Sequence, residues 1–186
     1  MSLIDYDERE SRRIQYLLDS NYFIGSARHY YDMGIFPCFW KWTERRFQDH
    51  SFIIIDKVYK ELLDGSDELV PWVKGSLKHF IVKTDNQEIT DSFVYTMEYI
   101  RGLSSSNHKR YENNAVNDFS YDADPWLIAY ARINPNVCIV TDEIPETRKT
   151  RVKIPEICRE MRLQYMKTED VLKQFRPVFD CDDFDR

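Results

Sequence analysis

Four short runs, almost wholly apolar and each closed by a polar break, constrain this chain more than any other feature. IQYLL (14–18) stops at Asp19, SFIII (51–55) at Asp56 and VCIVT (137–141) at Asp142 and Glu143, while HFIV (79–82) makes a fourth. Runs of four or five residues are too short for a buried helix and lack the alternation of a strand with one wet face. They read as strands buried on both sides, which is the condition of a parallel sheet covered by crossover helices.

The segments between them supply those helices. Asp19, Ser20 and Asn21 are good N-caps ahead of Tyr22, Phe23, Ile24 and Ala27. Phe36, Phe39, Trp40, Thr43 and Phe47 recur at helical spacing over 36–49. DKVYKELLDG carries a core stripe of Val58, Leu62 and Leu63 closed by Gly65, and DELVPWVKGSLK continues with a further helix. Residues 85–103 form a long amphipathic pattern, and Asp124-Pro125 ahead of WLIAYA sets an acid at an N-cap and proline at the first helical position. A last unit, IPEICREM, LQYM and EDVLKQF, reads as helix, strand and helix. The polar stretch GLSSSNHKRYENN is expected to be a loop or the mobile start of a helix, and the most flexible segment. Strand and helix therefore alternate, which predicts a three-layer α/β/α domain with a central, mainly parallel sheet.

A chain of 186 residues fits one such domain over 1–186, with a charged leader (1–12) and an acidic tail (176–186) that holds four Asp in DCDDFDR. Acidic residues outnumber basic ones, 32 to 26, so a simple nucleic-acid coat is excluded and any polyanion must be held locally. Charged residues interrupt every apolar segment before the ~20 positions of a membrane helix, and the opening residues lack a secretory core, so a cytoplasmic protein without membrane contact is expected. Cys38, Cys138, Cys158 and Cys181 show no paired spacing and are expected as reduced, mostly buried thiols. His29, His50, His79 and His108 stand in no ligand spacing, and no glycine-rich phosphate loop is present.

The chemistry-bearing residues are acids. Asp19 ends the first strand, Asp142 and Glu143 end a later one, Asp124 caps a helix beside it, and Glu61 lies next to a buried helix face. Ligands of parallel sheets sit beyond the strands' carboxyl ends, where all five can meet. Carboxylates so clustered repel one another unless cations intervene, and oxygen-only ligands select Mg²⁺ or Mn²⁺. For each acid alone the plainer reading is a helix cap, and for Glu61 a surface pair with Lys57 or Lys60.

YLLDSNYFI, VYKELLDG, DPWLIAYA and IVTDE resemble, in order, the four acidic motifs of PIN-domain ribonucleases, and more closely a bacterial PIN-like group of uncertain function related to toxin–antitoxin ribonucleases. The resemblance implies a PIN-like fold and a metal-dependent endoribonuclease, the toxin of a pair checked by an inhibitory antitoxin protein. It places Asp19 as first acid, Asn21 as its polar neighbour, Glu61 in the second motif and Asp124 as third acid, with Ala129 and Ala131 at small positions. The fourth motif departs from the common pattern: Glu143 occupies the usual aspartate position, and Asp142 precedes it as a rival. Asp118 and Asp122 are possible outer ligands. A metal held by Asp19, Asp124 and Glu143, with Glu61 orienting water or a second ion, implies in-line hydrolysis to a 5′-phosphate and a 3′-hydroxyl. The family also implies a homodimer, for which Trp40 and Trp42 are interface candidates.

RNA contact is expected from TRKTRVK, through Arg148, Lys149 and Arg151, and from Lys109 and Arg110. Tyr22, Trp126 and Tyr30 are candidates for base stacking, each with a core position as the plainer reading. Two other classes stay open: a non-catalytic PIN-derived scaffold, and a phosphatase of the haloacid dehalogenase type, which needs a second aspartate where Asn21 stands.

Overall fold

The computed structural model describes residues 13–65, 68–105, 110–146 and 149–179. The apolar runs form β1 (Gln15–Leu18), β2 (Phe52–Ile55) and β4 (Val137–Val140), and almost every residue in them is buried. Two-residue strands β3 (Ile81–Val82) and β5 (Tyr165–Met166) complete one sheet in the order β3-β2-β1-β4-β5, every pairing parallel. Leu17 lies in register between Ile53 and Ile139, so the centre of the sheet is a solid aliphatic layer. The edge strands have one neighbour each and are only half-buried, which is why they are short. The strand expected over 79–82 accordingly loses His79 and Phe80, which sit in a turn closed by Phe80 N–H donating to the Leu77 carbonyl at 2.9 Å.

Helices flank both faces: α1 (Ser20–Gly25), α2 (Pro37–Gln48), α3 (Asp56–Leu63), α4 (Leu69–Trp72), α5 (Gln87–Ser105), α6 (Asn113–Phe119), α7 (Asp124–Ile133), α8 (Ile154–Met161) and α9 (Thr168–Phe175). The result is the three-layer α/β/α architecture expected from the sequence. Two π-helical turns, Ser26–Tyr30 and Val73–Leu77, extend α1 and α4. The second divides the helix expected over DELVPWVKGSLK. The expected loop over GLSSSNHKRYENN is also shorter than its polarity suggested: α5 runs to Ser105, whose hydroxyl, like that of Ser104, bonds back to the carbonyl four residues earlier, and α6 starts at Asn113. The leader (1–12), the tail from 180 onward, His108 and Cys181 lie outside the described residues.

Helices α5 and α7 pack most extensively. Ala129 and Ala131 are buried there, and Ser92 Oγ donates to the Ala129 carbonyl at 2.7 Å, an approach a larger side chain would prevent. On the β2 side an aromatic cluster fills the core. Tyr22 is wholly buried with its hydroxyl 2.9 Å from Thr43 Oγ1, so it is a core residue and no base-stacking platform. Trp40 is 3% exposed and donates from Nε1 to the Tyr31 carbonyl, while Trp42 packs edge-on against Phe52 and Phe175. Both tryptophans belong to this cluster, which explains their presence without a dimer interface. Cys138 and Cys158 are buried free thiols, pushed up by burial to about 11 and about 12. Among the described residues no helix is long and apolar enough to cross a membrane.

The chain steps outward from β1 through β2 to β3, then returns to place β4 on the other side of β1. The strand order therefore reverses between β1 and β4, and the crevice outside their carboxyl ends is the position where such sheets bind ligands.

Candidate active site

Three aspartates follow strands at this edge, and each is held by a threonine that follows the neighbouring strand. Asp56, after β2, accepts from the backbone N–H and hydroxyl of Thr84, after β3, at 3.1 and 2.6 Å. Asp142, after β4, accepts from the backbone N–H and hydroxyl of Thr168, after β5, at 3.0 and 2.7 Å. Asp19, after β1, accepts at Oδ2 from the hydroxyl of Thr141, after β4, at 2.8 Å. The first two are saturated. Burial opposes ionisation of Asp56, but hydrogen bonds from Thr84 and Lys57 and the charge of Lys57 outweigh it and hold the carboxyl below its ordinary value. Asp142 fixes the first turn of α9.

Asp19 differs. It has no exposed surface, its Oδ2 also takes Asn21 Nδ2 at 2.8 Å, and its Oδ1 takes a longer 3.4 Å contact from the Ser20 hydroxyl. Burial raises its pKa, the Thr141 and Asn21 hydrogen bonds oppose that, and Glu143 adds repulsion. Asp124, the first residue of α7, faces the same space, and its carboxyl is raised well above the usual range by burial first, then by Asp19, Glu143, Glu61 and Asp122. Every one of those influences acts in the same direction. Glu61 reaches from α3 to accept the Ala123 N–H at 3.0 Å; burial raises its pKa, the Ala123 bond opposes this, and Asp19 raises it further. Its neighbour Lys57 pairs with Asp56 instead, so the simple surface pair is not formed.

Glu143 completes the group. Its backbone N–H donates to Thr141 Oγ1 at 3.2 Å, so one hydroxyl links the first and fourth acids. Its carboxylate accepts the Ile154 N–H at 2.9 Å and pairs with Lys153. Consecutive residues leaving β4 thus turn opposite ways: Glu143 lines a cleft of about 340 Å³ with Asp118, Asp122, Asp124, Arg151 and Lys153, whereas Asp142 lines a separate groove with Asn21, His29 and Tyr30. Asp122 is raised by burial, then by Asp118 and Glu143, with Lys153 and Arg151 opposing.

The donor set suits a hard divalent cation: carboxylates that raise one another's pKa and, among the described residues, no basic side chain within ion-pair distance of Asp19, Glu61 or Asp124. Yet no three His, Cys, Asp or Glu side chains among the described residues already stand as a metal-binding group. Glu61 is turned to Ala123 and Glu143 to Lys153 and Ile154, and both must rotate to complete a shell.

The structure thus brings together Asp19, Glu61, Asp124 and Glu143, with Asp118 and Asp122 at the rim, and leaves Asp142 outside. Of the expected RNA contacts, Arg151 lines the cleft, Lys149 stands in an exposed turn, and Arg110 is tied to Glu160 away from it. Lys109 and Arg148 lie outside the described residues. Trp126 stacks on Phe93 at 4.1 Å with Lys57 over its ring, leaving no face for a base, whereas Tyr30 is 67% exposed. A phospho-aspartate role for Asp19 meets two obstacles: Asn21 in place of the second acid and complete burial of the nucleophile. Lys153 belongs to the basic TRKTRVK run expected at RNA and Thr141 marks the fourth motif, but the sequence did not show their pairing with Glu143 and Asp19.

The family described as a domain of unknown function (DUF4411) matches residues 16–179. No curated protein and no solved structure matches the chain.

Proposed function

The chain belongs to the DUF4411 family, and because that membership assigns no chemistry, we propose from the site itself that it is a metal-dependent endoribonuclease hydrolysing RNA phosphodiester bonds. The observation that carries the reading is Asp124: a carboxylate raised by burial and by four neighbouring acids, with no basic partner among the described residues, at the crevice where the strand order reverses. Asp19, Asp124 and Glu143 would hold Mg²⁺ or Mn²⁺. Such a cation supplies a water of lowered pKa and neutralises charge on the scissile phosphate. Thr141 and Asn21 orient Asp19 and favour its charged form against the effect of burial, Glu61 accepts a proton from or aligns the attacking water, and Arg151 at the cleft draws the strand in against the net charge of −6. The products are a 5′-phosphate and a 3′-hydroxyl.

The acidic order along the chain supports a kinship with PIN ribonucleases, and with it a cytoplasmic toxin restrained by an antitoxin protein. The apolar rim of the groove beside the site, where Tyr30 and Ile144 are 67% and 73% exposed, suits such a covering partner. A second reading, a PIN-derived scaffold without catalysis, is favoured by one observation: the pairing of Glu143 with Lys153, which occupies the fourth acid.

Calorimetric titration of Mn²⁺ and Mg²⁺ into the wild type and an Asp19→Asn, Asp124→Asn double variant, with single-stranded RNA cleavage followed in parallel, separates them. Binding and cleavage that vanish together in the variant support the nuclease. A folded wild type that binds neither ion supports the scaffold.

A further inference from the structure

The cleft has an acidic floor and a basic wall, and one lysine belongs to both. Residues 151–153 are non-helical, and Lys153 is extended, with φ −124° and ψ 138°. Arg151, Val152 and Lys153 all line the cleft, and Val152, 5% exposed, packs into the core beside it. Both basic residues line the cleft with Asp122, Asp124 and Glu143. Arg151 has no ion-pair partner among the described residues. Lys153 pairs with Glu143 where the side chains are 19% and 8% exposed, so neither charge is well solvated and neither can lose its partner without gaining another.

A divalent cation at the acid cluster needs the Glu143 carboxylate, and an ammonium on that same carboxylate repels it. The two occupancies exclude each other. The displaced ammonium then requires an anion within reach of its stem, and the anion that a nucleic-acid strand brings into this cleft is its backbone phosphate. Lysine suits the exchange, being a flexible point charge with three donors rather than a fixed fork.

We propose that Lys153 is a positioning residue that exchanges between Glu143 in the free protein and a backbone phosphate of single-stranded RNA in the complex, releasing Glu143 to the acid cluster as the strand enters. This rests on the nuclease reading and names the residue that couples substrate entry to completion of the acidic site.

The test uses the full chain and a 5′-labelled single-stranded RNA 12-mer in EDTA, where no cleavage occurs, read by fluorescence anisotropy across a salt series. Lys153→Met should weaken binding roughly five- to tenfold and lower the slope of log affinity against log salt by about 0.7. Lys153→Arg, which keeps the charge, should restore affinity to within about twofold of wild type. Lys41→Met, on the exposed side of α2, is the control and should change little. Mn²⁺ calorimetry on the same samples should show Lys153→Met binding the ion at least as tightly as wild type, since Glu143 is no longer held. A wild type that binds Mn²⁺ but holds RNA no better than Lys153→Met overturns the exchange and leaves the nuclease reading standing. Loss of Mn²⁺ binding in Lys153→Met assigns the lysine a structural role and also overturns it. A wild type that binds neither Mn²⁺ nor RNA overturns both readings.

Discussion

Replacing Asp124 by asparagine should make the metal-free protein more stable, although the residue stands at the centre of the proposed site. Its carboxyl is raised by burial and by Asp19, Glu143, Glu61 and Asp122, and none of the described side chains pairs with it. Each unit by which folding raises a carboxyl pKa costs about 1.4 kcal/mol at neutral pH. Asparagine keeps the shape and removes the charge, so a gain on the order of 1–2 kcal/mol is expected, or about 2–8 °C in melting temperature for a chain of this size. The pH dependence fixes the cause. A folded pKa above the unfolded value of 3.8 means that the folded state holds the proton more tightly. Wild-type stability therefore falls as pH rises from 3.8 through the folded pKa and is level above it. The asparagine variant lacks this step, so its advantage should widen as pH rises and disappear near pH 4. Thermal unfolding by circular dichroism from pH 4 to 8 in EDTA measures this directly. Saturating Mn²⁺ should reverse the order, because an ion at 100 times its Kd stabilises the wild type by about 2.7 kcal/mol. A variant no more stable than wild type at pH 8, or one whose advantage is independent of pH, would refute the electrostatic account of the cluster.

Three other substitutions test separate parts of the site. Asp142→Ala should cost about 1 kcal/mol by uncapping α9 yet leave Mn²⁺ affinity unchanged, whereas Glu143→Gln should weaken Mn²⁺ binding about tenfold or more; calorimetry on both decides which acid of the fourth motif belongs to the cluster. Thr141→Val removes the hydroxyl that donates to Asp19 and accepts from Glu143, and should destabilise by about 1.5–3 kcal/mol in urea titration, with a smaller loss arguing that the link is dispensable. Leu127→Ala, on the buried face of α7, should cost about 2–5 kcal/mol in the same assay; a negligible loss would mean that the helix carrying Asp124 is not anchored as described.

The fold was legible where burial is complete. β1, β2 and β4 are apolar on both faces, and their runs stand out against the polar segments around them. β3 and β5 were harder because an edge strand needs few apolar residues, and His79-Phe80 continues the pattern of β3 without joining it. Within the site, Asp19, Glu61 and Asp124 were readable from their places at a strand end, beside a buried helix face and at a helix start. The preference for Glu143 over Asp142 rested on motif spacing alone, because neighbours leaving a strand point to opposite sides and only the sheet decides which side holds the cleft. Contacts across long separations were equally hidden: Thr141 reaches Asp19 over 122 positions, and Glu61 meets Ala123 over 62. Polarity misled over the serines after Gly102, since serine bonded to its own helix needs no turn.

The central place of β1 also sets a timetable for synthesis. Among the described strands β1 is made first yet lies in the middle of the sheet, and its partner on the site's side, β4, is the fourth of the five. At roughly 5–20 residues per second, the 122 positions between Asp19 and Thr141 delay their meeting by about 6–24 s. Throughout that interval the nascent chain holds the first acids without the strand that turns them into a cluster. Under the proposed nuclease reading, a chain stalled before β4 is expected to be inert, because it lacks the strand that completes the acidic cluster.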